Sequence, residues 1–355
     1  METTLQAIRA PKYKTKIVSD LLIGNHVSAY QLKKITGKES IDGSKIGYSP
    51  TDIRRIKVAL YGIDENQKNK NRPPIINVRM AKGGTGKSLI SANISSAFAM
   101  LGYKVLAIDG DPQASLTNIL GVDSSAEDIV HIGHLMEQFD TKNTVSIKDA
   151  LRPIYPGNML DLIPADITMT QTDNWLISRL GRDLIFDRFV INTPDFFNQY
   201  DVIVIDSAPG TTLLSYNLMA ACKTILAVAW LDRESVKAMN LLFSNIIEIN
   251  RAYPDKKLDV EIVANGYHPS YRHCKEALSI LAETYKDLMN ENVIPHYSGF
   301  VRQQSFLTEE SKGPLIEQEP NSVGGRVILE LAKSLLTRYG ITLSGFDENI
   351  KPNIR

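Results

Sequence analysis

Ile75-Ile76-Asn77-Val78-Arg79-Met80-Ala81-Lys82-Gly83-Gly84-Thr85-Gly86-Lys87-Ser88 is the stretch whose reading decides the fold. A mostly apolar run ends in a glycine-rich turn, and a segment rich in Ala, Ile and Ser follows over 88–101. That strand–loop–helix order is what a phosphate-binding loop requires. Glycines let backbone N–H groups approach and surround phosphate oxygens. The N-terminus of the following helix favours negative charge. The spacing therefore predicts a nucleotide site built from Lys82, Gly83, Gly84, Thr85, Gly86, Lys87, Ser88 and Leu89. Lys87 would reach the β- and γ-phosphates, and the Ser88 hydroxyl would bind Mg²⁺. The usual first glycine of such loops is replaced by Ala81.

Outward from the loop, apolar runs recur at Val105–Ile108, Met159–Ile163, Val202–Ile205, Ile225–Ala229 and Val260–Ala264. Helical patterns separate most of them, among them Leu213–Ala221, Glu234–Arg251 and Ser270–Leu288. Alternation of this kind predicts an α/β fold, a doubly wound and mostly parallel sheet covered on both faces. Ligands of such sheets sit at the carboxyl ends of the strands. Two runs end there in acids. The first reads Val105-Leu106-Ala107-Ile108-Asp109-Gly110-Asp111, the second Val202-Ile203-Val204-Ile205-Asp206. A buried strand ending in a carboxylate needs a cation or a hydrogen-bond network. Asp109 and Asp206 are the expected metal-side acids, and Pro209-Gly210 the expected turn near the γ-phosphate.

The first 72 residues differ in character. They carry 14 Lys+Arg against 7 Asp+Glu, a net of +7, in a chain whose 355 residues are neutral overall. A basic segment on an acidic body suggests nucleic-acid binding. Two helices are expected there. Val27–Gly37 would have Ser28 as its cap, and Ser49–Gly62 would have Pro50 in the first turn and Ile53, Ile56 and Leu60 on one face. A turn or short hairpin is expected between them, over 37–48. The polar stretch 64–74 reads as a linker, which divides the chain into 1–63, 64–74 and 75–355. Two cysteines, Cys222 and Cys274, give no disulfide framework and fit a reducing cytosol. No apolar run reaches the ~18 residues of a membrane span. His131 and His134 lack a third ligand nearby, and Trp175 and Trp230 are expected in the core or an interface.

The loop KGGTGKS, the segment KVLAIDGDPQASLTNILG and the segment VIVIDSAPGTTLLSYNLMAA together resemble the ParA/MinD group of deviant Walker A ATPases, and ParA within it. The likeness spans roughly Ile75 to Leu336. It implies an ATP-sandwich homodimer that hydrolyses ATP weakly with Mg²⁺, binds DNA without sequence preference, and is stimulated by a ParB-like centromere-binding protein. On this resemblance Lys82 reaches the partner's ATP, Lys87 and Asp111 serve catalysis with it, and Asn265 and Pro295 meet adenine. Arg272 and Arg302 would touch DNA. Two departures from the family pattern are His296, where an arginine follows Ile-Pro, and the order Lys312-Gly313-Pro314. The N-terminal segment resembles the winged helix-turn-helix extension of larger ParA proteins. Arg54 and Arg55 would then contact operator DNA, and the protein would repress its own operon. Two other readings are an ATP-modulated transcriptional regulator and a MinD-like membrane organiser. Against the latter, the tail 340–355 has only scattered apolar residues.

Overall fold

The computed structural model describes residues 6–23, 27–38, 46–63, 72–125, 128–144, 146–303 and 313–343. Residues 64–71 of the linker expected over 64–74, most of the hairpin region, Lys312 and the tail from 344 lie outside them.

Ten strands follow in chain order: β1 Tyr13–Lys14, β2 Gly47–Tyr48, β3 Ile75–Arg79, β4 Val105–Gly110, β5 Arg152–Tyr155, β6 Leu160–Ile163, β7 Val202–Ser207, β8 Thr224–Trp230, β9 Asp259–Tyr267 and β10 Ile294–Pro295. Eight form one sheet in the order β10-β9-β8-β3-β7-β4-β6-β5, parallel except where β5 runs antiparallel to β6. All six expected strands are present. β5 and β10 were not foreseen, since Arg152-Pro153-Ile154-Tyr155 and a two-residue strand offer no apolar run. The loop-bearing β3 sits between β7 and β8. Residues alternate between faces with period two. Ile76, Val78, Val105 and Ala107 join one core cluster, while Ile75, Met80, Leu106 and Ile108 join the other.

Helix Lys87–Met100 packs on the first face and is buried along nearly its whole length. Its Ala and Ser residues are small enough for close approach to the sheet. Helix Val323–Arg338 covers the same side, and helices Leu213–Ala220, Arg233–Ala252 and Arg272–Tyr285 contribute to the other.

The N-terminal residues share that first core. Tyr13, Leu32, Tyr48, Ile53, Ile56 and Leu60 cluster with Phe98, Leu101 and Leu335. Helix Ala29–Thr36 carries the Ser28 capping box and ends at Gly37 in the left-handed region. Helix Pro50–Tyr61 has Ser49 as its cap, Pro50 in its first turn and Gly62 at its end. β2 pairs not within its own loop but with β1, ahead of the first helix, through Tyr13 opposite Tyr48.

Arg54 corrects an expectation. It is 4% exposed and ion-paired to the fully buried Asp201 at 2.6 Å, with a second bond to Gly102 O at 3.0 Å. Gly102 has φ +91°, and a Cβ there would lie 3.1 Å from Arg54 Cα. A guanidinium locked this way ties the N-terminal helix to the end of the phosphate-loop helix and faces no DNA. Arg55, one position on, is exposed. Arg54→Ala should destabilise the protein by about 3–5 kcal/mol, because Asp201 is left as an uncompensated buried charge. Arg55→Ala should stay within about 0.5 kcal/mol. Chemical unfolding of both variants checks this, and equal costs would refute it.

Candidate nucleotide site

β3 delivers the chain to a turn in which Gly84 and Gly86 have φ of +73° and +88°, conformations that side chains rarely adopt. At Gly86 a Cβ would also fall 2.5 Å from Asn265 Nδ2, which donates to Thr85 O at 2.8 Å. Lys87, the first helical residue, is 6% exposed, and its Nζ donates to Lys82 O at 3.3 Å. Burial pushes its ammonium pKa down, opposed by the Asp206 and Asp111 carboxylates. A desolvated cation folded over the backbone of a glycine-rich turn is a ready partner for phosphate.

β4 and β7 are adjacent, and Asp109 stands in register opposite Asp206. Both are fully buried. Asp109 Oδ2 accepts from Thr117 N at 2.8 Å and Thr117 Oγ1 at 2.7 Å, and its Oδ1 accepts from Asp111 N at 3.1 Å. Burial, and then the charge of Asp206, still push its pKa up to about 8. Asp206 Oδ1 accepts from Ser91 Oγ at 2.9 Å, while its buried Oδ2 has no hydrogen-bond partner. Burial raises Asp206 to about 6, against the pull of the Ser88 and Ser91 hydroxyls and Lys87. Two buried carboxylates in register, one with an orphaned oxygen, beside the Ser88 hydroxyl, make an all-oxygen donor set. That chemistry suits a hard divalent cation such as Mg²⁺. Asp111, 8% exposed, accepts from Gln113 N at 2.9 Å.

Lys82 is paired within its own chain. Its Nζ lies 2.5 Å from Asp232 Oδ2, both side chains about one-third exposed. Asp232 caps helix Arg233–Ala252 through Ser235 N at 2.7 Å. Burial raises the Asp232 carboxyl, but Lys82 and Ser235 outweigh it and hold it below its ordinary value.

Beside the loop lies a cavity of about 200 Å³, lined by Gly84, Gly86, Leu89, Trp230, Asn265, Gly266, Pro295, His296, Tyr297, Phe300 and Val301. The sequence reading placed Leu89, Asn265 and Pro295 at the nucleotide, and all three line this space. It missed Trp230, whose ring lies so close over Gly266 that a Cβ there would be 2.6 Å away. It also missed Arg79. This buried guanidinium on β3 donates to Gly210 O in the turn after β7, and burial lowers it to about 10. The available signal was an arginine closing a mostly apolar strand.

The remaining candidates sit elsewhere. Arg272 is 91% exposed in its side chain and pairs with Glu276, and Arg302 is 59% exposed and pairs with Glu319. His131 and His134 stack at 3.7 Å and cap one another's backbone N–H groups. Burial lowers His131 to about 4. Cys222 and Cys274 are buried thiols. Among the described residues no group of three or more His, Cys, Asp or Glu side chains could hold a metal, and no helix is long and apolar enough to cross a membrane.

Comparison with known proteins agrees with this architecture. An AAA-domain family model matches residues 74–260. The cell division protein PomZ of Myxococcus xanthus is 27% identical over 331 residues, covering 93% of this chain and 95% of that protein. The sporulation initiation inhibitor protein Soj of Bacillus subtilis is 25% identical over 267 residues, covering 74% of this chain and 97% of Soj. A plasmid partition protein of Borrelia burgdorferi, solved with AMPPNP, superposes with a TM-score of 0.57 at 20% identity, covering 76% of this chain and all of that one.

The raised carboxyls set a pH dependence. Both folded-state pKa values exceed the ordinary 3.8, so the folded protein binds more protons than the unfolded chain between about pH 4 and 8. Stability of the ligand-free protein should therefore be greatest at the acid end of that window and fall as pH rises through it. Asp109→Asn should flatten the fall above pH 6, as read from melting temperatures without Mg²⁺. An unchanged slope in that variant would sink the assignment.

Proposed function

The chain belongs to the AAA-domain family, among its ParA-type ATPases, and from that premise we propose that it is a DNA-partition switch powered by ATP. The observation that carries the reading is the phosphate loop facing two in-register buried carboxylates.

Phosphoryl transfer asks mainly for positioning and charge neutralisation. The loop amides and Lys87 would hold the β- and γ-phosphates, and the 200 Å³ cavity would take the base. Ser88, Asp206 and Asp109, the last through its hydrogen-bonded shell, would hold Mg²⁺, which supplies charge neutralisation between the phosphates. Asp111 would orient the attacking water. Arg79, fixed to Gly210 O, would keep the turn after β7 in place as the γ-phosphate comes and goes. Lys82 would leave Asp232 and reach the nucleotide of a second subunit, which makes pairing dependent on ATP. A ParB-like protein would accelerate turnover and release the dimer from DNA.

Two surfaces fit DNA. Exposed Arg272 and Arg302 would bind phosphates without sequence preference. The N-terminal 63 residues would bind operator DNA and repress transcription. There the exposed face is helix Ala29–Thr36, with Tyr30 73% exposed and Lys33 and Lys34 in solvent. That helix, together with Arg55, replaces Arg54 as the expected contact.

Lys87→Ala should abolish ATP binding, while Asp111→Ala should bind ATP normally and turn over at least about a hundredfold more slowly, the low end of proton-transfer contributions. Nucleotide titration and single-turnover hydrolysis separate the two, and wild-type turnover in the Asp111 variant would overturn its role. Replacing Lys33 and Lys34 by Ala should reduce the slope of log K against log salt for N-terminal DNA binding by up to about 2. An unchanged slope would remove that helix from the interface.

A further inference from the structure

Arg9 belongs to no motif, yet it occupies a built polar socket outside the nucleotide site. Its backbone is fixed first. Ile8 N donates to Pro153 O at 3.0 Å and Arg9 N to Ile154 O at 2.9 Å, so the N-terminal arm runs along β5. The guanidinium then forks. Nη2 donates to Glu317 Oε1 at 3.1 Å, Nε lies 3.0 Å from Glu317 Oε2 as an ion pair without hydrogen-bond geometry, and Nη1 donates to Leu120 O at 2.8 Å. Glu317 is 6% exposed in its side chain and also accepts from Tyr155 Oη at 2.5 Å and Ser96 Oγ at 3.3 Å. Ser96 lies on the phosphate-loop helix.

The socket is shaped to the arginine. A Cβ at Gly121 would fall 2.9 Å from Nη1, and one at Gly313 would fall 2.9 Å from Cζ. Both glycines have positive φ, +89° and +87°.

Leu120 is the important end of the fork. It closes the short helix Ser115–Ile119, donating its own N–H to Leu116 O at 2.9 Å and offering its carbonyl to Arg9. Three residues back, Thr117 gives Asp109 both its backbone N–H and its hydroxyl. The same hydroxyl accepts from Ala165 N at 2.9 Å, so this threonine is held from two sides. One short helical turn thus has Arg9 at its C-terminal end and the metal-side carboxylate along its length.

We propose that Arg9 is a positioning residue for the metal site: by gripping Leu120 O against Glu317 it fixes the helix that presents Thr117 to Asp109. The inference rests on the reading of Asp109 and Asp206 as the Mg²⁺ side of a nucleotide site. It makes the first described residues of the chain part of the ATPase machinery. Lysine would not replace this arginine, since a single ammonium lacks the planar fork that meets a carboxylate and a carbonyl together.

The test is a titration of the full-length protein with a fluorescent ATP analogue at fixed concentration and MgCl₂ varied, well below each variant's melting temperature. Arg9→Ala should raise the MgCl₂ concentration for half-maximal binding by about fivefold, a modest coupling between sites. Binding measured in EDTA should not change. Gly121→Ala keeps the arginine but displaces its Nη1, and should shift MgCl₂ in the same direction. Tyr155→Phe removes a Glu317 partner without touching Leu120, and should lower melting temperature alone. If Arg9→Ala does not fold, Gly121→Ala carries the test. MgCl₂ midpoints equal to wild type in whichever of these two variants fold would overturn the proposal, as would an equal shift in Tyr155→Phe. Failure of wild type to bind the analogue at any MgCl₂ concentration would instead bring down the nucleotide reading, and Arg9's role with it.

Discussion

Asp109 and Asp206 face each other across adjacent strands with no solvent around them, and much of the molecule is arranged to tolerate that. Two like charges in a low-dielectric interior repel and lose hydration together. The chain answers with donors: Thr117 and the Asp111 amide on one carboxylate, Ser91 on the other. The answer is incomplete: Asp206 Oδ2 is buried without a hydrogen-bond partner, which is where the proposed cation would sit. β4 and β7 must be neighbours for the pair to exist, and β3 must lie on the far side of β7 for the phosphate loop to overhang it. Strand order and site chemistry are therefore one constraint.

Much of this was legible in the sequence because parallel strands buried on both faces must be continuously apolar. The six runs announced themselves, and the acids at their ends stood out against them. Loop glycines were equally plain, since positive φ selects glycine. What escaped notice lacked such a signal. β5 is an edge strand containing Pro153, and β10 has two residues. Trp230 ends a strand whose tip could as easily have met a core as a ligand. Arg79 was absorbed into an apolar run, although an arginine there demands an explanation.

The arginine pair on the N-terminal helix teaches something different. Arg54 and Arg55 are adjacent, and adjacent helical residues point about 100° apart. Both could not serve one surface. The apolar stripe of Ile53, Ile56 and Leu60 sets the buried side, and Arg54 lies next to it. The resemblance to a winged helix-turn-helix assigned both to DNA; helical phase separates them. Asp201, the other half of the pair, lies 147 residues away, beyond what one sequence without its fold can connect.

Trp230 has a consequence of its own. The chain contains two tryptophans, and this one leans on bare backbone at Gly266 within the cavity beside the phosphate loop. If that cavity takes the base as proposed, the indole would emit differently with and without a purine beside it. The proposed site would then carry an intrinsic optical gauge of its own occupancy, read against Trp175, which sits instead under the Arg179 guanidinium.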